Sequence, residues 1–122
     1  MDSRQEGWAV KFTVYRDSWE RGSGAFLYEN ETHCGCCLGH VANDMGVSAC
    51  DLEGWSGFDM YSSVTPSWRK MASRNLGFNW RRASDINDDP DITDEEREAK
   101  LIELFAKHGH ELTFVEGKRD WK

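Results

Sequence analysis

The amino-acid sequence predicts an α+β fold: a small sheet of three to four short strands packed against two main helices, with a long irregular middle segment. Three observations predict it. Val10, Phe12 and Val14 alternate with Lys11, Thr13 and Tyr15, the period-2 pattern of a strand with one buried face. Cys37, Leu38, Val41, Ala42 and Met45 fall at i, i+1, i+4, i+5 and i+8, one apolar face of a helix that Gly46 can end. Leu101, Ile102, Leu104 and Phe105 form a second helical stripe, set between the capping box Thr93-x-x-Glu96 and Gly109.

The remaining elements follow in order. Residues 1–8 are polar and expected to be loose. Arg16 to Gly22 reads as a turn or a single helical turn, with Trp19 as a core anchor. Gly24 to Tyr28 is expected to form a second short strand, with Phe26 and Tyr28 on one side and Leu27 on the other. The first helix follows the polar turn Glu29-Asn30-Glu31. From Val47 to Arg82 no clean period emerges. The second helix spans about Asp94 to His108; Asp94, Glu95 and Glu96 suit its positive end, Lys107 and His108 its negative end. His108 and His110 are expected to be exposed residues flanking its cap. Leu112, Phe114 and Val115 read as a closing strand, and 117–122 as a loose polar tail with Trp121 as its one aromatic.

The 122 residues suit one domain spanning 1–122. Apolar content of 39% with 30% charged residues is a globular balance rather than a disordered one. Net charge of −7 argues against direct nucleic-acid binding, which needs a basic face, and favours a basic partner surface. No apolar run reaches the length of a membrane span. Met1 to Glu6 lacks the apolar core of a secretion signal, so an intracellular protein with reduced thiols is expected.

His33, Cys34, Cys36, Cys37 and His40 have the residue types of a zinc site. A structural zinc site joins two ligand pairs across a longer loop, whereas these five lie within eight positions, with two cysteines adjacent. The expectation is therefore no metal: Cys36 and Cys37 as small buried hydrophobes and His40 as a partly exposed helix residue. A zinc-binding module on the five residues is the alternative. A second metal-like pattern sets Asp85, Asn87, Asp89, Asp91, Thr93 and Glu96 at positions 1, 3, 5, 7, 9 and 12 of a calcium loop. Pro90 occupies the position that needs a glycine, because proline locks φ near −65°. A turn followed by the capped helix is the simpler reading.

The middle segment carries the expected binding residues. Trp55, Trp68, Arg69, Trp80, Arg81 and Arg82 place basic groups beside aromatics, a pattern suited to recognition and to phosphate contact. No nucleophile-and-base spacing and no phosphate-binding loop occurs, so no catalysis and no cofactor is expected.

Trp19, Gly22, Leu27, Cys36-Cys37-Leu38-Gly39, Gly46 and Ile86-Asn87-Asp88 resemble a family of small uncharacterised proteins of phages and prophages. Those proteins share a Trp-x-x-Gly, a Cys-Cys-Leu-Gly before a helix and an Asn-Asp before a second helix. Thr93 to Glu98, Phe105, Gly109 and Phe114-Val115 extend the likeness. The resemblance implies a phage-type origin and one compact domain; it implies no reaction. The functional expectation is a small acidic accessory protein in the cytoplasm of a bacterial host. It would act by binding a host protein, with inhibition of a defence protein fitting the context. A nucleotide-binding protein that sequesters a signal is the other alternative, and self-association is compatible with the pattern.

Overall fold

The computed structural model describes residues 10–22, 26–55 and 80–122, and shows a mixed helix-and-strand architecture. Strand β1 (Val10–Tyr15) pairs in parallel with β2 (His110–Val115), in a register that sets Phe12 beside Leu112 and Val14 beside Phe114. These four side chains are buried, as period-2 alternation requires of a sheet with one covered face. Among the described residues these two are the strands, where three to four were expected. In the second strand expected at Gly24–Tyr28, Tyr28 makes only an isolated bridge to Glu53, and residues 23–25 lie outside the described chain. Parallel pairing needs a long crossover, and here all the chain between the strands provides it.

Helix α1 (Cys37–Asp44) lies along β1 and is buried on every side from Cys37 to Asn43. Its side chains close the outer edge of β1. The Thr13 N–H donates to Asp44 Oδ2 at 2.8 Å, and the Tyr15 N–H to His40 Nδ1 at 3.4 Å. An edge satisfied in this way cannot template a further strand. The segment around Leu27 crosses the start of α1 very closely. A Cβ on Gly39 would lie 1.8 Å from the Leu27 carbonyl oxygen, and one on Gly35 2.1 Å from it. Gly46, at φ +98°, ends the helix as the sequence indicates. A short helix, α2 (Ala49–Leu52), follows, with Ser48 as its N-cap.

Helices α3 (Trp80–Asp88) and α4 (Asp94–Lys107) pack against each other across a tight turn. Helix α3 corrects two expectations. Trp80, Arg81 and Arg82 open a helix rather than end an irregular stretch, and Asn87 and Asp88, expected in the turn before the capped helix, are the last residues of that helix. The capping box of α4 is present: the Glu96 N–H donates to Thr93 Oγ1 at 3.1 Å, and the Thr93 N–H to Glu96 Oε1 at 2.9 Å. Leu101 and Phe105 are fully buried, but Ile102, expected in the same stripe, is 41% exposed. Arg97 is buried in its place, one turn before Leu101.

The core joins both strands to α1, α3 and α4. Phe12 meets Phe105 edge-on, and Trp19 lies 4.8 Å from Phe114, the anchor role expected of it. His110, expected to be exposed, is buried against Phe12 because it begins the inward-facing row of β2. Residues 117–122, expected as a loose tail, are packed down: the Asp17 N–H donates to Gly117 O and the Ala49 N–H to Lys122 O, each at 3.0 Å. Among the described residues no helix is long and apolar enough to cross a membrane.

Candidate functional site

The cysteine cluster resolves into framework. Cys36 and Cys37 are buried, as expected. Burial pushes the Cys36 thiol up to about 12 and the Cys37 thiol well above its ordinary value, so neither is a ready nucleophile at neutral pH. Cys34 is half-buried, with its Sγ 3.5 Å from Thr32 O. His33 is exposed at φ +58°, a conformation that histidine tolerates better than most residues, and its Nδ1 lies 3.2 Å from the Tyr28 hydroxyl. His40 corrects the expectation of partial exposure, since it is fully buried. Among the described residues no group of three or more histidines, cysteines and carboxylates is placed to hold a metal.

His40 belongs to a polar arrangement centred on Arg119. The Arg119 side chain is 6% exposed. Its Nε donates to His40 Nδ1 at 3.0 Å, Nη1 to Asn43 Oδ1 at 2.9 Å, and Nη2 to Thr13 O at 2.6 Å and Asp44 Oδ1 at 2.8 Å. Its guanidinium carbon lies 5.0 Å from the Tyr15 ring centre and 5.4 Å from that of Trp121. Because Arg119 and the Tyr15 amide both donate to Nδ1, the His40 proton sits on Nε2, which donates to Ser18 O at 3.0 Å. Burial, aided by the Arg119 charge, lowers the His40 pKa to about 3. The imidazole is a neutral structural hub across the physiological range.

Two clefts flank this arrangement, each of about 410 Å³. One opens between Tyr28, Thr32 and His33 and the segment Lys118–Trp121. The other opens between Tyr15, Asn43 and Asp44 and the far side of the same segment, at Asp120 and Lys122. The segment is a partition with Arg119 in both walls.

A second feature is electrostatic. Residues 85–96 carry seven carboxylates and no basic side chain. They lie on the end of α3 (Asp85, Asp88), the turn (Asp89, Asp91) and the first turn of α4 (Asp94, Glu95, Glu96), with the turn's backbone held in place. Buried Arg97 donates to the carbonyls of Asp89 and Ile92 and to the Asp94 carboxylate, and the capping box holds the other end. Arg21 bonds to Asp94 at 2.9 Å and holds its carboxyl below the ordinary range. Half-buried Asp88 moves the other way, raised first by burial and then by the charges of Asp85 and Glu20. The other calcium-pattern residues, Asp89, Asp91 and Glu96, do not converge with Asp85 and Asn87. Asn87 is fully buried and bonded elsewhere: its Oδ1 accepts from Trp19 Nε1 at 2.7 Å and from the Cys37 N–H at 3.0 Å, and its Nδ2 donates to Glu20 O at 3.1 Å.

Of the expected binding residues, Trp55 is half-buried against the core, its carbonyl accepting from the Leu27 N–H at 2.6 Å. Arg81 and Arg82 are exposed on α3. Trp68 and Arg69 lie outside the described residues, as does the Trp80 side chain. Arg82 joins Lys100, Glu103 and Lys107 of α4 around a groove of about 160 Å³ that Ile86 and Leu104 also line. Sequence reasoning missed Arg119, Asn43 and Asp44. The only local sign was an arginine two positions from a tryptophan in a segment that otherwise reads as polar.

No protein-family model, curated protein or solved structure matches the chain. Several of the short motifs picked out in the sequence meet in space. Trp19 and Cys37 bond to the Asn87 side chain, the Gly22 N–H bonds to Asn87 O, and Gly39 abuts Leu27. Their positions give them a framework role.

Proposed function

We propose that this chain is a small acidic accessory protein of phage type, acting in the bacterial cytoplasm by binding a basic surface of a host protein. An inhibitor of a defence protein fits that description. The observation that carries the reading is the carboxylate corner at residues 85–96 on its rigid turn. Charge displayed on a backbone already held by Arg97 and the capping box loses little entropy on binding. A concentrated field of one sign speeds encounter with an oppositely charged partner. The phage and host context rests on the resemblance of the short motifs. The test is capture from a bacterial lysate by the tagged chain and by a chain with Asp85→Asn, Asp89→Asn, Asp91→Asn and Glu95→Gln, read by mass spectrometry. A basic host protein retained by the first and lost by the second supports the reading. Identical profiles refute it.

One observation favours a second reading. Arg82, Lys100 and Lys107 set three positive charges against the one carboxylate of Glu103 at a groove in a protein of net charge −7, which suits a phosphate-bearing small ligand. Calorimetry with nucleoside di- and triphosphates separates the two: saturable binding abolished by Arg82→Ala with Lys100→Ala would favour the nucleotide.

A further inference from the structure

The segment 117–122 sits on the rest of the molecule as a bound peptide sits in its groove. It has two side-chain anchors, an arginine and a tryptophan, the types that dominate protein interfaces. Arg119 enters a cage whose acceptors match the guanidinium donors: His40 Nδ1 for Nε, Asn43 Oδ1 for Nη1, Thr13 O and Asp44 Oδ1 for Nη2, with the Tyr15 ring across its face. Trp121 packs 4.8 Å from the rings of both Tyr28 and His40, and its Nε1 donates to His33 O at 2.9 Å. The backbone of the first anchor is fixed as well, the Arg119 N–H donating to Ser18 Oγ at 2.8 Å. Gly117, at φ +101°, separates it from β2 and forms a natural hinge. Lys118, Asp120 and Lys122 have exposed side chains, so the side-chain contact lies in the two anchors, with main-chain bonds from the Asp17 N–H to Gly117 O and from the Ala49 N–H to Lys122 O at the segment's ends.

We infer that the surface formed by Tyr15, Ser18, Tyr28, His40, Asn43 and Asp44 is a recognition groove for an arginine-x-tryptophan segment, filled in cis by residues 117–122 and able to take the same segment from a second copy of this chain. The second copy is the occupant because its segment carries every matching group by identity. Exchange replaces each contact with an equal one, so its equilibrium is set by concentration and by the hinge. The cis segment competes at an effective concentration of millimolar order, which keeps dilute protein monomeric and allows exchange in concentrated protein. The inference is independent of the acidic corner.

The test mixes two full-length variants. The first, Arg119→Ala with Trp121→Ala, keeps the groove and loses the anchors. The second, Asn43→Ala with Asp44→Ala, keeps the anchors and damages the cage. Each alone is expected to run as a monomer by light scattering. Their mixture is expected to form a 1:1 dimer, with a melting temperature above that of either variant. Folded variants that stay monomeric when mixed overturn the inference. If the alanine pairs do not fold, the parent chain supplies the reading: refolded at about 1 mM it should give a dimer that slowly reverts on dilution, a concentration comparable to the local one of a short tether. Arg119→Lys, which keeps the charge and loses the planar fork, weakens the cis and the exchanged contact alike, so it should lower the melting temperatures of monomer and dimer together and leave the dimer fraction unchanged. A parent chain that stays monomeric, or a folded lysine variant whose dimer fraction falls tenfold, overturns it.

Discussion

Removing the Asn87 side chain should cost far more than an exposed-looking Asn-Asp turn would suggest. Asn87 is fully buried and its amide is fully used. Oδ1 takes the indole N–H of Trp19 and the first free amide of α1, at Cys37, so Asn87 supplies the N-terminal cap that Cys36 does not provide. Nδ2 donates to Glu20 O. Asn87→Ala leaves two donors stranded, one on Trp19 at 5% exposure and one on fully buried Cys37. Each such stranded donor costs about 1–3 kcal/mol, so about 3–4 kcal/mol is expected after partial relaxation, a large share of a total of about 5–15 kcal/mol. Asn87→Asp sharpens the test. It keeps the acceptor for both donors but turns an oxygen toward Glu20 O at 3.1 Å and Asp88 Oδ1 at 3.0 Å. Two carboxylates then share a half-buried site. The aspartate variant should be about as unstable as the alanine variant at pH 7 and should recover part of the loss near pH 5, where a proton restores the donor. Equilibrium urea unfolding followed by tryptophan fluorescence, with slopes compared for two-state behaviour, measures both. A cost below about 1 kcal/mol for Asn87→Ala, the size of an ordinary exposed cap, would refute the reasoning.

Gly39→Ala should prevent folding or cost several kcal/mol, because its Cβ would lie 1.8 Å from backbone that Leu27 cannot withdraw; circular dichroism of the purified variant decides it. Stability should fall as the pH drops below 6.5. His40 stays neutral when folded, with its pKa lowered to about 3, and takes up a proton near 6.5 when unfolded. Its contribution is therefore complete above 6.5 and is lost downward toward 3, at about 1.4 kcal/mol per pH unit. Urea midpoints at pH 6.5 and 5 measure this slope, and His40→Asn should remove it. Thr93→Ala should lower stability by about 1 kcal/mol through loss of the α4 cap, read as a shifted urea midpoint at constant slope.

Elements with a strong local signal were legible. The β1 alternation, the Thr93–Glu96 box, the Gly46 and Gly109 stops and the Trp19 anchor stand in the structure as they read in the chain. What depends on distant partners was not. The parallel pairing of residues 10–15 with 110–115 has no short-range sign, because either strand alone fits many sheets. Helix α3 is hidden by its polarity. Ala83 and Ile86 are the buried apolar residues of its described side chains, while Ser84 and Asn87 are buried as polar groups. His40 was expected to be partly exposed, and the burial of Arg97 has no sign in the chain, since burial of either depends on a partner that sequence does not reveal: Arg119 and Ser18 O for one, the carbonyls of Asp89 and Ile92 for the other. The Arg119 cage shows the same thing at the level of a site, since its acceptors come from residues 13, 40, 43 and 44, more than seventy positions away.

The most direct test of the central claim is a calorimetric titration of the captured host protein, at low and at physiological salt, against two chains. One is the parent and the other carries Asp85→Asn, Asp89→Asn, Asp91→Asn and Glu95→Gln. The acidic-corner reading predicts at least a tenfold weaker affinity for the neutralised chain and a smaller loss of its affinity with salt, because the charges that salt would screen are gone. Equal affinities with equal salt dependence would show that the partner binds elsewhere and would contradict the account.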